Sequence, residues 1–216
     1  MASFPPSLLF YPADQPTEQP TLQPAPTPTL FLFGPIIKAG IDIKAAPVEI
    51  PLELQIPSLN VRARMLGVGL AADNLMDAPK GPIGDPVWSS AFWYRGGGIP
   101  GDPGTATIAG HVNDTNGRPE IFARLHELRA GDIIIVHNKL SNSDMRFTVN
   151  QVEVYPVQQT TDPAVLSYIY GIGPVTGTGP QTSVDGQSHL NLVTCAGNFA
   201  NGEFDHRTVV YTTRSD

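Results

Sequence analysis

Apolar and polar residues alternate at period two along Val48-Glu49-Ile50-Pro51-Leu52-Glu53-Leu54, the mark of a strand with one buried face. Ile56-Pro57-Ser58-Leu59-Asn60-Val61 continues in an extended sense, and its prolines assign this stretch to a sheet edge or a bend. A small apolar run follows from Ala63 to Leu70. Further strand-like runs are Thr105–Ala109, Asp132–His137, Arg146–Val154, His189–Thr194 and Arg207–Thr212. Turn chemistry separates them, as at Pro79-Lys80-Gly81-Pro82 and Gly84-Asp85-Pro86. The spacing predicts one good helix over Ile121–Leu128, with Phe122, Leu125 and Leu128 on one face and Gly131 just past its end. Asp162-Pro163-Ala164-Val165-Leu166 reads as a short helix start, since Asp caps and Pro suits the first turn. Many short strands with so little helix predict a mainly β fold, closed or nearly closed into a barrel.

The first 45 residues read differently. Pro5, Pro6, Pro12, Pro16, Pro20, Pro24, Pro26 and Pro28 recur among Gln and Thr, a spacing that denies a helix its hydrogen bonds and favours an extended spacer. Residues 1–45 are therefore expected to be a Pro-rich linker or stalk, with the apolar patch Leu30-Phe31-Leu32-Phe33 packing back on a folded domain that covers 46–216. Composition agrees: Gly (21) and Pro (22) are abundant, which favours turns and strands over long helices. The net charge of −7 argues against a nucleic-acid partner. No apolar run reaches the roughly 18 residues that span a bilayer, and Met1–Phe10 lacks the basic start of a signal peptide.

Chemistry enters with Asn191-Leu192-Val193-Thr194-Cys195, a strand that carries the chain's single cysteine to the start of a Gly-Asn loop. A lone cysteine excludes a disulfide framework and a Cys-cluster metal site, so it is either inert core or a working thiol. A working thiol needs a proton acceptor and a fixed positive charge. Two other polar residues stand at strand ends where they can supply these, His111 and Arg207. Spacing alone does not show that the three meet. The other histidines, His126, His137, His189 and His206, show no metal-ligand spacing. Gly96-Gly97-Gly98 does not match a phosphate-binding loop, because no Lys-Ser/Thr follows and the next element is a strand. Trp88, Trp93 and Tyr94 read as core or groove wall.

Taken together, Ala109-Gly110-His111, then Leu192-Val193-Thr194-Cys195, then Arg207 with its β run resemble the sortases, cysteine transpeptidases of bacterial cell surfaces. Phe122-x-x-Leu125-x-x-Leu128-x-x-Gly131-Asp132 and Trp93-Tyr94…Pro100-Gly101-x-x-Gly104 support the resemblance, which covers about Val48 to Thr213 and is greatest to the class E/F branch. It implies an eight-stranded barrel with one or two short helices. It further implies that Cys195 is the nucleophile, His111 the general acid/base and Arg207 the group that holds substrate and steadies the transition state, with Thr194 and Ala109 at the substrate. The family pattern begins Thr-Leu-x-Thr-Cys, and here Asn191 replaces its first Thr.

The reaction implied is cleavage of a Leu-Pro-x-Thr-Gly-like sorting signal between Thr and Gly through a thioacyl-enzyme. An amine of a peptidoglycan precursor or a pilin then resolves it, and no cofactor is implied. Calcium-dependent members carry acidic residues in the loop before the cysteine strand; here Tyr170–Ser188 holds only Asp185, so no calcium requirement is expected. At ordinary pKa values of about 8.5 and 6.5, a thiolate–imidazolium pair is only ~1% of enzyme at pH 7. The expected location is the outer face of the bacterial membrane, with an anchor preceding this chain and the Pro-rich stretch as stalk. Alternatives are a sortase-fold peptidase that uses water, and a non-catalytic secreted barrel that binds a ligand. Other cysteine enzymes fit worse: a Cys-x5-Arg phosphate loop needs Arg where Asn201 stands, L,D-transpeptidases carry Ser-x-Gly-Cys, and papain-like enzymes place the histidine after the cysteine.

Overall fold

Strand β1 (Val48–Ile56) buries every second residue, and Ile50, Leu52, Leu54 and Ile56 point into one core as the alternation requires. A computed structural model describes residues 46–71, 75–171 and 183–216 of the chain. The Pro-rich stretch, the Leu30–Phe33 patch and most of the loop before the cysteine strand lie outside the described residues. The other strands are β2 (Val61–Val68), β3 (Ala91–Tyr94), β4 (Gly104–Gly110), β5 (Ile133–Asn138), β6 (Ser143–Pro156), β7 (Ser188–Ala200) and β8 (Glu203–Arg214). They close into a barrel in the order β1-β2-β3-β4-β7-β8-β6-β5, with β5 returning to β1. The mainly β, closed eight-stranded barrel is thus as expected. Inside it pack Leu52, Leu54, Ile56, Met65, Trp93, Ile108, Ile134 and Phe147, all essentially without exposure.

Two pairs, β2 with β3 and β4 with β7, are parallel, and every other pair is antiparallel. Parallel neighbours need long crossover connections. One such connection runs from Gly69 to Ser90 between β2 and β3; the other contains β5, β6 and the helix α1 (Pro163–Tyr170).

The prolines of the first strand make a bend rather than an edge, since a closed barrel has none. Pro51 sits where the β1–β2 register shifts between Ile50 and Glu53. Pro57 opens a 3-10 turn, Pro57–Leu59, which ends on Asn60 in the left-handed region (φ 55°), so the extended run to Val61 is broken there.

The helix expected over Ile121–Leu128 is not formed: residues 121–124 are turn and only Leu125–Glu127 is helical, as 3-10. The spacing explains it. Phe122, Leu125 and Leu128 are buried at intervals of three throughout, which matches three residues per turn better than 3.6, and no side chain caps the start.

Helix α1 does form where Asp162-Pro163 predicted a start. The Asp162 carboxylate accepts from the backbone N–H groups of Ala164 and Val165, and Gly171 closes the helix at φ 61°. The helix lies against the face of β4, β7 and β8 opposite the core. There Thr107 Oγ1 donates to the Ile169 carbonyl (2.8 Å), and Asn191 Nδ2 donates to those of Tyr168 (3.2 Å) and Ile169 (2.8 Å). Ile169 packs with Val193, Val209 and Tyr211 beneath it. Asn191, which departs from the Thr-Leu-x-Thr-Cys pattern, therefore serves the last carbonyls of a helix that has run out of its own donors. Asn191→Ala removes two of these buried donors and is expected to lower stability by about 1–3 kcal/mol, read as a lower urea midpoint with unchanged slope.

Candidate active site

Strands β4 and β7 run side by side from Gly104↔Ser188 to Ala109↔Val193, and two residues further on each strand stand His111 and Cys195. The junction is braced at the intervening step, where Thr194 Oγ1 donates to the Gly110 carbonyl (2.8 Å). On the other side Cys195 is the direct antiparallel partner of Arg207 across β7–β8. Directly opposed residues share a face with Cβ atoms about 5 Å apart. That face is the one carrying Val193 and Val209, then Asn191 and Tyr211, beneath α1. Cys195 and Arg207 form the next row beyond the helix, and both are half-buried rather than sealed.

Each of the three is held by its surroundings. The Arg207 Nη1 donates to the carbonyls of Phe204 (3.2 Å) and His206 (2.9 Å), which ties the guanidinium to its own hairpin strand; its other N–H groups make no hydrogen bond among the described residues. Gly197 (φ 81°) turns the strand after Cys195, and a Cβ there would collide with the Asp205 carboxylate that accepts from Asn198 N and pairs with His206. The His111 ring sits between Trp88 (centroids 4.7 Å) and Phe92 (5.2 Å), and its Nε2 lies 2.9 Å from the Pro79 carbonyl. Burial pushes its pKa below the ordinary histidine value; the bond to Pro79 opposes this, and the charge of Lys80 adds to it. Near Arg207, burial pushes the Tyr170 hydroxyl up, and the guanidinium partly offsets that; the Tyr170 ring meets Tyr94 edge-on at 5.5 Å.

The residues around Ala109-Gly110-His111 explain that tripeptide. Ala109, half-exposed, packs against Leu66, Val68 and Phe92, under the β2–β3 connection. Gly110 has no room for a side chain, because a Cβ would stand 2.6 Å from the Phe122 ring. The Phe122 N–H in turn donates to the His111 carbonyl (3.1 Å). The run Gly96-Gly97-Gly98 is small for a related reason: Cβ atoms at Gly97 and Gly98 would press on the carbonyls of Tyr170 and Thr105 at 2.9 and 2.7 Å.

The remaining histidines lie apart from this row or beside it. His189 pairs with Asp185 at the opposite end of β7, His137 pairs with Asp144, and His126 is exposed on its turn as expected. His206 pairs with Asp205 next to Arg207. A cavity of about 680 Å³ opens at the His189 end of the sheet, lined by Tyr168, Gly171, His189, Asn191 and Tyr211 among others; Cys195, His111 and Arg207 do not line it. Among the described residues no three His, Cys, Asp or Glu side chains are grouped to hold a metal ion. The loop that bears on calcium lies largely outside those residues.

Sequence reasoning missed the Pro79 carbonyl and the place of Trp88 against His111. A carbonyl has no residue signature. Trp88 carried a weak one, since a buried indole needs acceptors for its N–H and two carbonyls stand in the turn before it.

A family model described as the sortase domain matches residues 54–215. Solved structures with the same fold include a lid mutant of sortase A from Corynebacterium diphtheriae, at 18% identity and TM-score 0.52, covering 80% of this chain and 73% of that one. Sortase C-1 from Actinomyces oris shares 18% identity at TM-score 0.51, over 77% and 75% of the two chains. Sortase A from Listeria monocytogenes shares 15% at TM-score 0.51, over 78% and 89%. No curated protein matches the chain.

Gly110→Ala is expected to cost about 1–3 kcal/mol through overpacking against Phe122. It should also reduce turnover more than substrate affinity by displacing His111; thermal unfolding and steady-state kinetics together check this.

Proposed function

Because the chain belongs to the sortase family, whose domain spans residues 54–215, we propose that it is a working transpeptidase with Cys195 as nucleophile, His111 as general acid/base and Arg207 as the cation that holds the acyl oxygen. The observation that carries this reading is the cross-strand pair Cys195–Arg207 set beside the end of β4, where His111 follows. In the active form Cys195 is a thiolate and His111 an imidazolium. The sulfur attacks the carbonyl carbon of the Thr-Gly bond, and the oxygen that gains charge is met by the free N–H groups of Arg207. Collapse breaks the C–N bond, and His111 gives its proton to the departing glycine amine, leaving a thioester on Cys195 and a neutral imidazole. An incoming amine attacks the thioester and loses its proton to His111, and the thiolate leaves. Both groups are thereby returned to their starting state.

The substrate proposed is a Leu-Pro-x-Thr-Gly-like sorting signal on a surface protein, and the acceptor an amine of a peptidoglycan precursor or a pilin. The groove assigned to the signal runs between the β2–β3 connection and α1, with Ala109 on its wall. Thr194 braces it through Gly110. Residues 1–45 are proposed as the stalk that holds residues 46–216 off the outer membrane surface. No helix among the described residues is long and apolar enough to cross a membrane.

Mass spectrometry of a Leu-Pro-x-Thr-Gly peptide incubated with triglycine tests the assignment. The wild-type chain should yield the transfer product, Cys195→Ala none, and His111→Gln roughly 10²–10⁴-fold less; turnover by Cys195→Ala would refute it. A second expectation concerns pH. Activity needs His111 protonated and Cys195 ionised, so when the imidazole is the more acidic group the rate falls on the acid side through the pKa of His111. Burial lowers that pKa, so the acid limb of kcat/KM should lie below the ordinary value of about 6.5, and activity should persist where an exposed histidine is already fully charged.

A further inference from the structure

The connection between β2 and β3 does more than cross the sheet. From Pro79 to Ser90 it is knit to itself: Asp85 N–H donates to the Pro82 carbonyl, Trp88 N–H to that of Asp85, Ser90 N–H to that of Val87, and Val87 N–H to the Asp85 carboxylate. Pro79, Pro82 and Pro86 fix φ at three points. The Trp88 indole N–H is shared between the carbonyls of Gly81 (3.1 Å) and Pro82 (3.0 Å), which fixes the ring from its far edge. Ser90 Oγ donates to Pro86 (2.7 Å) and accepts from Arg64 Nε (3.0 Å), so the segment is riveted to β2. What this rigid segment touches is His111, with the Trp88 ring on one side and the Pro79 carbonyl at Nε2.

We propose that the Pro79 carbonyl and the Trp88 ring form a clasp that fixes His111 as the Nε2–H tautomer, making Nδ1 the nitrogen that exchanges protons in acyl transfer and Trp88 a positioning residue for it. The proposal rests on the reading of His111 as general acid/base, and the chemistry that carries it is simple. A peptide carbonyl only accepts, so a 2.9 Å bond to it requires a proton on Nε2. That bond survives protonation of the ring, because the imidazolium also carries Nε2–H. The proton that comes and goes is therefore on Nδ1, as the partner of one ring nitrogen dictates the state of the other. The clasp also covers part of the ring, in keeping with the lowered basicity of His111, whose charged neighbour is Lys80 on the clasp itself.

Imidazole ¹⁵N spectra and pH–rate profiles of the full chain, with Trp88→Ala and Trp88→Phe beside the wild type, test this. Above the acid limb the wild-type spectrum should show a proton on Nε2 and a bare Nδ1 for His111. That measurement needs no substitution, and it stands even if Trp88→Ala, a change at a buried side chain, does not fold. Trp88→Ala should move the acid limb up toward about 6.5 and lower kcat on the order of tenfold to a hundredfold with KM little changed. Trp88→Phe keeps a ring on His111 and should recover most of that loss. A wild-type proton on Nδ1, or a Trp88→Ala enzyme whose acid limb does not move, whether or not kcat falls, would overturn the proposal. Full activity in His111→Gln would instead remove the catalytic reading while leaving the tautomer result intact, so the two failures are distinguishable.

Discussion

The parallel pairing of β4 with β7 is the constraint on which the site depends. Parallel strands end at the same edge of a sheet, so a residue following β4 and a residue late in β7 arrive together only if these two strands are neighbours in register. Nothing local favours that pairing. The segment between them contains β5, β6 and α1, and its closure entropy is offset by the hydrophobic interior that the closed barrel buries. The antiparallel β7–β8 hairpin then adds Arg207 at little further cost, because a short turn and the register shift between Ala196 and Phe199 set its place opposite Cys195. One long-range pairing and one local one thus set the end of β4 beside the middle of the β7–β8 ribbon, where Cys195 and Arg207 lie.

The outer face of the same strands has to be covered without covering its end. Two pieces of chain do this from opposite sides: α1 over Val193, Val209 and Tyr211, and the β2–β3 connection over Leu66, Val68 and Phe92. Each is bound through specific polar contacts as well as apolar ones. Thr107 and Asn191 hold the last carbonyls of α1, and Arg64 with Ser90 holds the connection. Buried polar groups that find partners specify one arrangement of a cover, where apolar contact alone would allow it to slide. Between the covers the row of Cys195 and Arg207 stays half-open, as the proposed peptide substrate would require.

The same division explains what was legible in the sequence. Strands with one buried face announce themselves by alternation, and β1, β4, β5 and β7 were found where the pattern lay. Cys195, His111 and Arg207 were legible as polar residues at the ends of apolar runs, and their order carried the family resemblance; β7 continues past Cys195 to Ala200 and β8 starts before Arg207 at Glu203, because polar residues carry the hairpin beyond its apolar part. Interval-three burial at Phe122, Leu125 and Leu128 was read as α-helix because a short apolar stripe at i, i+3 also fits a helix face; the strict interval of three and the uncapped start go with the tighter turn that forms. The covers were the least legible part. Their contacts to the site run through backbone carbonyls of Pro79, Tyr168 and Ile169, which every residue type possesses. Asn191 shows the limit well: in the sequence it is only a departure from the Thr-Leu-x-Thr-Cys pattern, and in the fold it is an amide spanning two carbonyls at once.

Burial of His111 sets two requirements against each other. A base that shares a proton with a thiol works best when the two acidities are close, and water exclusion pulls them apart by disfavouring the imidazolium. Against that, an imidazole held by a ring and a carbonyl loses no time in wrong tautomers or orientations, and an ordered proton donor acts through geometry that solvent exposure would dissolve. The bond from Nε2 to Pro79 tempers the conflict, since it stabilises the charged ring as well as the neutral one and raises the pKa that burial lowers. In the proposed mechanism Arg207 has an electrostatic task, because its permanent charge, placed directly across the strand from Cys195, is the part of the field that does not depend on the proton's position. On the proposed mechanism the site relies on fixed geometry, which the ring and carbonyl around His111 and the strand pairing of Cys195 with Arg207 both provide.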